Sequence, residues 1–145
     1  MAAITRIDAQ FKTGNRSGAG TDGDIFIGIG GREFVADSAV DDFERGSDRI
    51  YVFGAGSGSG STVNNPAFNN PSTPFQLDTS NLDRFPVYVR FEPTGRDDNW
   101  NLESVTVTVN PGPGQVQYQA LGGSNNLWLG QHAGKVCHLQ KLVFA

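Results

Sequence analysis

The sequence has little with which to build a helix, a disulfide, a membrane span or a surface for polyanions. Its single cysteine, Cys137, excludes an internal disulfide. No apolar run approaches the roughly 20 residues of a transmembrane helix. Eleven Lys and Arg residues, never two in succession, stand against fifteen Asp and Glu, for a formal charge of −4. Tracking nucleic-acid phosphates needs a basic patch, so that partner is excluded. The same charge means that attraction to an anionic membrane requires a bound cation. His132, Cys137 and His138 lack a recognised zinc spacing. No Gly-x-Ser-x-Gly elbow lies between an apolar strand and a helix, so the chain reads as non-catalytic. No charged segment followed by an apolar one opens the chain, and the expected location is cytoplasmic or peripheral to a membrane.

What is present favours strands. Nineteen Gly, seven Pro and eleven Asn in 145 residues leave little room for helix interiors, and the chain reads as all-β. A length of 145 residues suits one domain, expected to span residues 1–145 and to bury roughly two-thirds of its unfolded surface. Ile7, Ala9 and Phe11 alternate with polar residues between Ile4 and Lys12, as do Ile25, Ile27 and Ile29, the period of a strand with one dry face. Gly30-Gly31 reads as a tight hairpin turn, with a returning strand from Arg32 to Asp37. Further strands are expected at 48–53, 85–91, 102–109, 115–121 and 135–144, the last with an inward phase that the pattern does not assign. Residues 54–84, GAGSGSGS followed by an Asn- and Pro-rich stretch, read as a long loop insertion. Phe68 and Phe75 within it are candidates for contact with a lipid interface or a partner's pocket, or simply pin the loop to the sandwich.

The chemistry concentrates between Gly18 and Gly46. Gly18, Gly20 and Gly23 have dinucleotide-fingerprint spacing, but a strand follows where that motif needs a helix, and Asp22 would repel the phosphate. An EF-hand frame on Asp22, Asp24 and Glu33 puts Phe26 and Ile27 where a ligand and a turn glycine belong. The hairpin can instead bring Asp22 towards Asp41, Asp42 and Glu44. Gly20, Thr21 and Asp22 offer a carbonyl, a hydroxyl and a carboxylate; the second turn offers three carboxylates. Calcium takes about six to eight such oxygens and fits this inventory best. By composition alone the cluster also reads as a solvated acidic loop, since most exposed carboxylates coordinate nothing.

AGTDGDIFIGI followed by DDFERGSDRIYVF resembles the PLAT (LH2) domain family, found in animal lipoxygenases, lipases and some bacterial phospholipase toxins. PVYVRF, the loop RDDNW and NLESVTVTV continue the likeness; residues 54–84 have no counterpart in it. The resemblance implies an antiparallel β-sandwich of about eight strands in two four-stranded sheets. It turns the acidic cluster into a Ca2+ site built from Gly20, Thr21, Asp22, Asp41, Asp42 and Glu44, with a third arm from Asp98 or Asn99. Arg45 is implied as a structural partner of a carboxylate or carbonyl, and Trp100 as a packing residue at a sheet edge. Trp128 falls roughly where related lipoxygenase domains expose a tryptophan, which makes it a candidate membrane or partner contact. The implied function is a calcium-binding module that associates with membrane lipid headgroups or a protein partner. Alternatives are an interaction domain in which calcium only stiffens loops, and a carbohydrate-binding module, because calcium-bearing sandwiches with Asn-rich loops and exposed aromatics also bind glycans.

Overall fold

The computed structural model describes residues 1–55, 61–121 and 127–143, with the backbone alone at 61–62. Part of the Gly/Ser run (56–60), the Asn125-Asn126 turn and Phe144 of the expected closing strand lie outside the described residues. The strands are β1 (Arg6–Thr13), β2 (Asp24–Ile29), β3 (Arg32–Val35), β4 (Asp48–Gly54), β5 (Ser61–Thr62), β6 (Tyr88–Glu92), β7 (Trp100–Val109), β8 (Val116–Ala120), β9 (Leu127–Leu129), β10 (Val136–His138) and β11 (Gln140–Lys141). One sheet runs β11-β8-β7-β1-β4-β5, with β9 continuing the edge of β7 beside β8, and the other runs β10-β6-β2-β3.

The β-sandwich is all-β, as the composition implies, but its described strands divide seven and four rather than four and four. Three short segments make the difference. β5 and β9 have two and three residues, too few to show an alternation. The closing stretch splits, so that β10 pairs with β6 in the small sheet and β11 with β8 in the large one. Such a crossing has no single phase. All pairings are antiparallel except β4 with β5.

Alternation builds the core. Ile7, Ala9 and Phe11 of β1 face Ile25, Ile27 and Ile29 of β2 across a continuous buried cluster. On β7 the buried set changes phase from Trp100 and Leu102 to Val105, Val107 and Val109. A register slip against β1 between Lys12 and Thr13 makes this possible, because the extra residue turns both halves of β7 inward. At the β2–β3 turn Gly30 and Gly31 have φ of 62° and 84°, the left-handed values that a two-residue hairpin demands.

The segment before β6 is tied to the sandwich. Val63, Leu77 and Leu82 are buried in the core, and Thr79–Asn81 forms a 3₁₀ turn capped by Asp78. Arg32 donates to the carbonyls of Asn70, Thr73 and Phe75. The buried Asn69 amide accepts from Val35 N–H at 2.8 Å and donates to the carbonyls of Asn64 and Asn65, so it occupies a backbone donor at the outer edge of β3 that is otherwise open to another strand. Asn69→Ala leaves the Val35 N–H without its partner and is expected to cost about 1–2 kcal/mol, measured by urea unfolding; an unchanged midpoint would show that the edge does not depend on this amide.

Candidate functional site

Four connections gather at one end of the sandwich: 14–23 after β1, 36–47 after β3, 93–99 after β6, and 130–135 after β9. Antiparallel pairing places them there, since β2 starts at Asp24 opposite Glu92, where β6 ends. Backbone bonds join them: Thr21 N–H donates to the Phe43 carbonyl at 3.0 Å, Asn101 N–H to that of Ala19, and Gly46 N–H to that of Gly14. Gly20 has to be glycine, because a Cβ there would stand 2.9 Å from Arg45 N and 3.1 Å from the Phe43 carbonyl oxygen.

Phe43 anchors the second loop. Its φ of 57° is unusual for a bulky residue, and its buried ring stacks on Tyr51 at 5.3 Å while meeting Phe11 and Trp100 edge-on. Its neighbours Asp42 and Glu44 are left towards the surface. Trp100, fully buried, lies beneath the third loop with its indole N–H donating to Thr13 Oγ1 at 3.0 Å. It is a packing residue, as the sequence suggests. Arg45 donates to the Asn15 side-chain oxygen at 3.1 Å.

Two open clefts lie side by side across Thr21 and Asp22. One is lined on its acidic side by Asp22, Glu44, Asp97 and Asp98, the other by Asp22, Asp24, Asp37, Asp41 and Asp42. Three of these carboxylates are bonded within the chain, Asp37 by a single bond accepted from the Asn64 side-chain amide at 3.0 Å and two others more fully. Asp98 accepts from Thr21 Oγ1 at 2.6 Å and from Thr94 N–H and Oγ1 at 2.8 and 3.0 Å. Asp42 accepts from Ser38 N–H at 2.8 Å, Ser38 Oγ at 2.6 Å and Tyr51 OH at 2.7 Å. Burial first, and the Asp42 bond second, raise the Tyr51 phenol far above its ordinary range, so it stays a donor.

Seven of the eight sequence-derived ligands therefore line the clefts: Gly20, Thr21, Asp22, Glu44 and Asp98 at the first, and Asp41 and Asp42, again with Thr21 and Asp22, at the second. Asn99 does not: a Cβ on Gly130 would stand 2.1 Å from its amide oxygen, so that side chain packs on the β9–β10 loop. Sequence reasoning missed Asp97, beside Asp98 in the loop, and Asp24 and Asp37 at the two strand ends. Among the described residues no three Asp, Glu, His or Cys side chains converge into a metal-ligand group. The donor set nevertheless suits a hard cation. It is all oxygen, Asp98 and Asp42 each use about three of roughly four lone-pair positions, and Asp22, Asp41, Glu44 and Asp97 are exposed and able to swing inward.

The candidate contact residues divide between regions. Trp128 is 37 % exposed and pairs across β7 with Asn101, which bonds the first loop, so it belongs to the acidic end. Val40, 52 % exposed, lines the second cleft. Phe75 lies beside the β2–β3 turn through Arg32, the length of β2 away, roughly 17–20 Å at about 3.3 Å per residue. Phe68 adjoins Asn69 on the β3 edge.

Sandwich and loops together define a PLAT-type, C2-like β-sandwich fold. The solved structures that share it are pieces of larger chains. The alpha toxin of Clostridium absonum matches 96 % of this chain with a TM-score of 0.60 and 21 % identity, over 32 % of the toxin. The Clostridium perfringens alpha toxin of an avian strain matches 95 % with a TM-score of 0.62 and 19 % identity, again over 32 % of its length. A coral 8R-lipoxygenase, described as calcium-activated via a C2-like domain, matches 94 % with a TM-score of 0.56 and 19 % identity, over 17 % of its chain. The chain thus spans about a third of the toxins and a sixth of the lipoxygenase. No protein-family model and no curated protein sequence matches it.

Proposed function

We propose that this chain is a non-catalytic, calcium-binding module that docks peripherally on a membrane through its acidic end. The observation that carries the reading is the coincidence at one end of two oxygen-lined clefts sharing Thr21 and Asp22 with two exposed apolar side chains, Val40 and Trp128. The calcium activation described for the coral enzyme's C2-like domain supports it. Among the described residues no helix is long and apolar enough to cross a membrane.

In this reading Asp22, Asp97, Asp98 and Glu44 hold an ion in the first cleft, with the Gly20 backbone and Thr21, and Asp22, Asp41 and Asp42 do so in the second. Of the two candidates for the third arm, Asp98 serves in this reading, while Asn99 packs against Gly130. Calcium, when bound, supplies the positive charge that cancels this end's repulsion from anionic headgroups. The chain's residues do the rest. Thr21 ties the first loop to the third through Asp98, Phe43 holds the second loop to the core, and Trp128 offers an apolar ring with a polar N–H to the interface.

Calorimetric titration of metal-stripped protein tests the reading. Saturable calcium binding is expected, weakened about tenfold, or ~1.4 kcal/mol, in Asp22→Ala, the residue both clefts share. At a hundred times Kd the ion adds about 2.7 kcal/mol to folding, a rise of about 5–10 °C in melting temperature for a chain of this size. Pelleting with anionic liposomes should then require calcium and fall in Trp128→Ser. Absence of binding up to millimolar calcium would sink the proposal.

A further inference from the structure

Opposite the acidic clefts, a small cavity of about 210 Å³ lies beside the β2–β3 turn, walled by Ile29, Gly31, Phe85, Pro86 and Tyr88 with Arg32 and Glu33 at its rim. Its volume is below the ~300 Å³ at which pockets for drug-sized ligands begin, leaving room for about one ring. The charged groups on the rim are already engaged. Arg32 spends its guanidinium on three carbonyls. Glu33 accepts from Tyr88 OH at 2.6 Å and from Arg90 Nε and Nη2, both at 2.9 Å. A ligand seated here meets ring faces and aliphatic carbon and finds those ionic partners taken. A phenyl ring meets that description better than a sugar or an anion.

The chain presents such a ring next to the cavity. Phe75 is 74 % exposed while its backbone carbonyl is held by Arg32 at 2.9 Å, so the ring is displayed from a fixed support and does not fill the cavity of its own chain. Knob and hole thus share Arg32 and sit in one patch. A two-fold contact requires that adjacency, because each copy must offer and receive the same feature. We infer that two copies of this chain associate by exchanging Phe75 rings into each other's Phe85–Tyr88 cavity. Phe85 is 45 % exposed in one copy and becomes the wall against which the partner's ring packs. With ~150–250 Å² per aromatic side chain, the exposed parts of Phe75 and Phe85 from both copies total on the order of 500 Å². That is well short of the roughly 1,600 Å² of a standard interface, so the association is weak and concentration-dependent. The fixed support of Phe75 lowers the ordering cost of forming it.

Sedimentation equilibrium, with samples from about 10 μM to about 1 mM, the span of weak association, tests this. The wild-type weight-average mass is expected to climb towards twice the monomer. Phe75→Ser and Phe85→Ala, changes at exposed or half-exposed rings, should each weaken self-association about tenfold or more and leave calcium titration unchanged. A wild type that stays monomeric throughout would overturn the proposal, as would a dimer undiminished in both variants. Loss of liposome pelleting in Phe75→Ser with self-association intact would also overturn it, reassigning the ring to lipid.

Discussion

Trp100→Ala is expected to remove about 3–5 kcal/mol of stability, the largest loss from any single change at the acidic end. The indole is fully buried, with Phe43 at 5.3 Å, Phe91 at 5.9 Å and Phe11 at 6.1 Å between ring centroids. Truncation opens a cavity among four elements that cannot all collapse into it, because β1 and β7 are held in register by their ladder. It also strips Thr13 Oγ1 of its donor. Since folded domains retain only about 5–15 kcal/mol, the variant should be close to unfolding at room temperature. Trp100→Phe separates the two causes, keeping most of the packing while giving up the hydrogen bond at about 1 kcal/mol. Urea unfolding followed by circular dichroism measures both. A loss below about 1 kcal/mol in Trp100→Ala would mean that the loops do not rest on this ring.

Asp42→Ala is expected to cost about 2–3 kcal/mol, more than removing an exposed carboxylate does, because it orphans donors inside the fold. Ser38 loses the acceptor for both its N–H and its hydroxyl, and Tyr51 loses the acceptor for a phenol on a side chain with no exposed surface. The phenol cannot escape by ionising, since burial, the largest cause of its raised pKa, persists when Asp42 is removed. Asp42→Asn keeps an oxygen for Tyr51 and should cost about 1 kcal/mol, while still weakening calcium in the second cleft through the lost charge. A Tyr51→Phe variant closes a double-mutant cycle, with a coupling of about 1 kcal/mol expected between the two residues. Additive losses would show that the bond contributes nothing beyond its parts. Stability of Asp42→Ala indistinguishable from wild type would leave Asp42 as a surface carboxylate only.

The alternating strands and the glycine hairpin were readable because each is a local pattern with one dry face. Ile7, Ala9 and Phe11, or Ile25, Ile27 and Ile29, declare the core without reference to any partner. Less local features were not. The phase change within β7 depends on a slip against β1, and the split of the closing stretch depends on β6 and β8 offering edges in different sheets. Segment 61–84 looks like polar loop because its anchors are an amide, Asn69, and scattered apolar residues, Val63, Leu77 and Leu82, without period.

The acidic end shows the same division. Local sequence determines that Thr21-Asp22, Asp41-Asp42 and Asp97-Asp98 sit in turns at strand ends, because glycine, aspartate and asparagine favour turns and the flanking residues alternate. Composition likewise determines a strand-rich rather than a helical fold, since the chain has too many glycines and prolines for helix interiors. Only the tertiary structure decides which carboxylates are spent and which are free: Asp42 on Ser38 and Tyr51, Asp98 on Thr21 and Thr94, with Asp22 between two clefts. It also decides that Asn99 turns to Gly130 and that Phe75 belongs to the opposite end from Trp128. The physical reason is range. Strand and turn preferences act over a few neighbouring residues, whereas a carboxylate's partners here lie up to 77 positions away and are set by how the sheets pack.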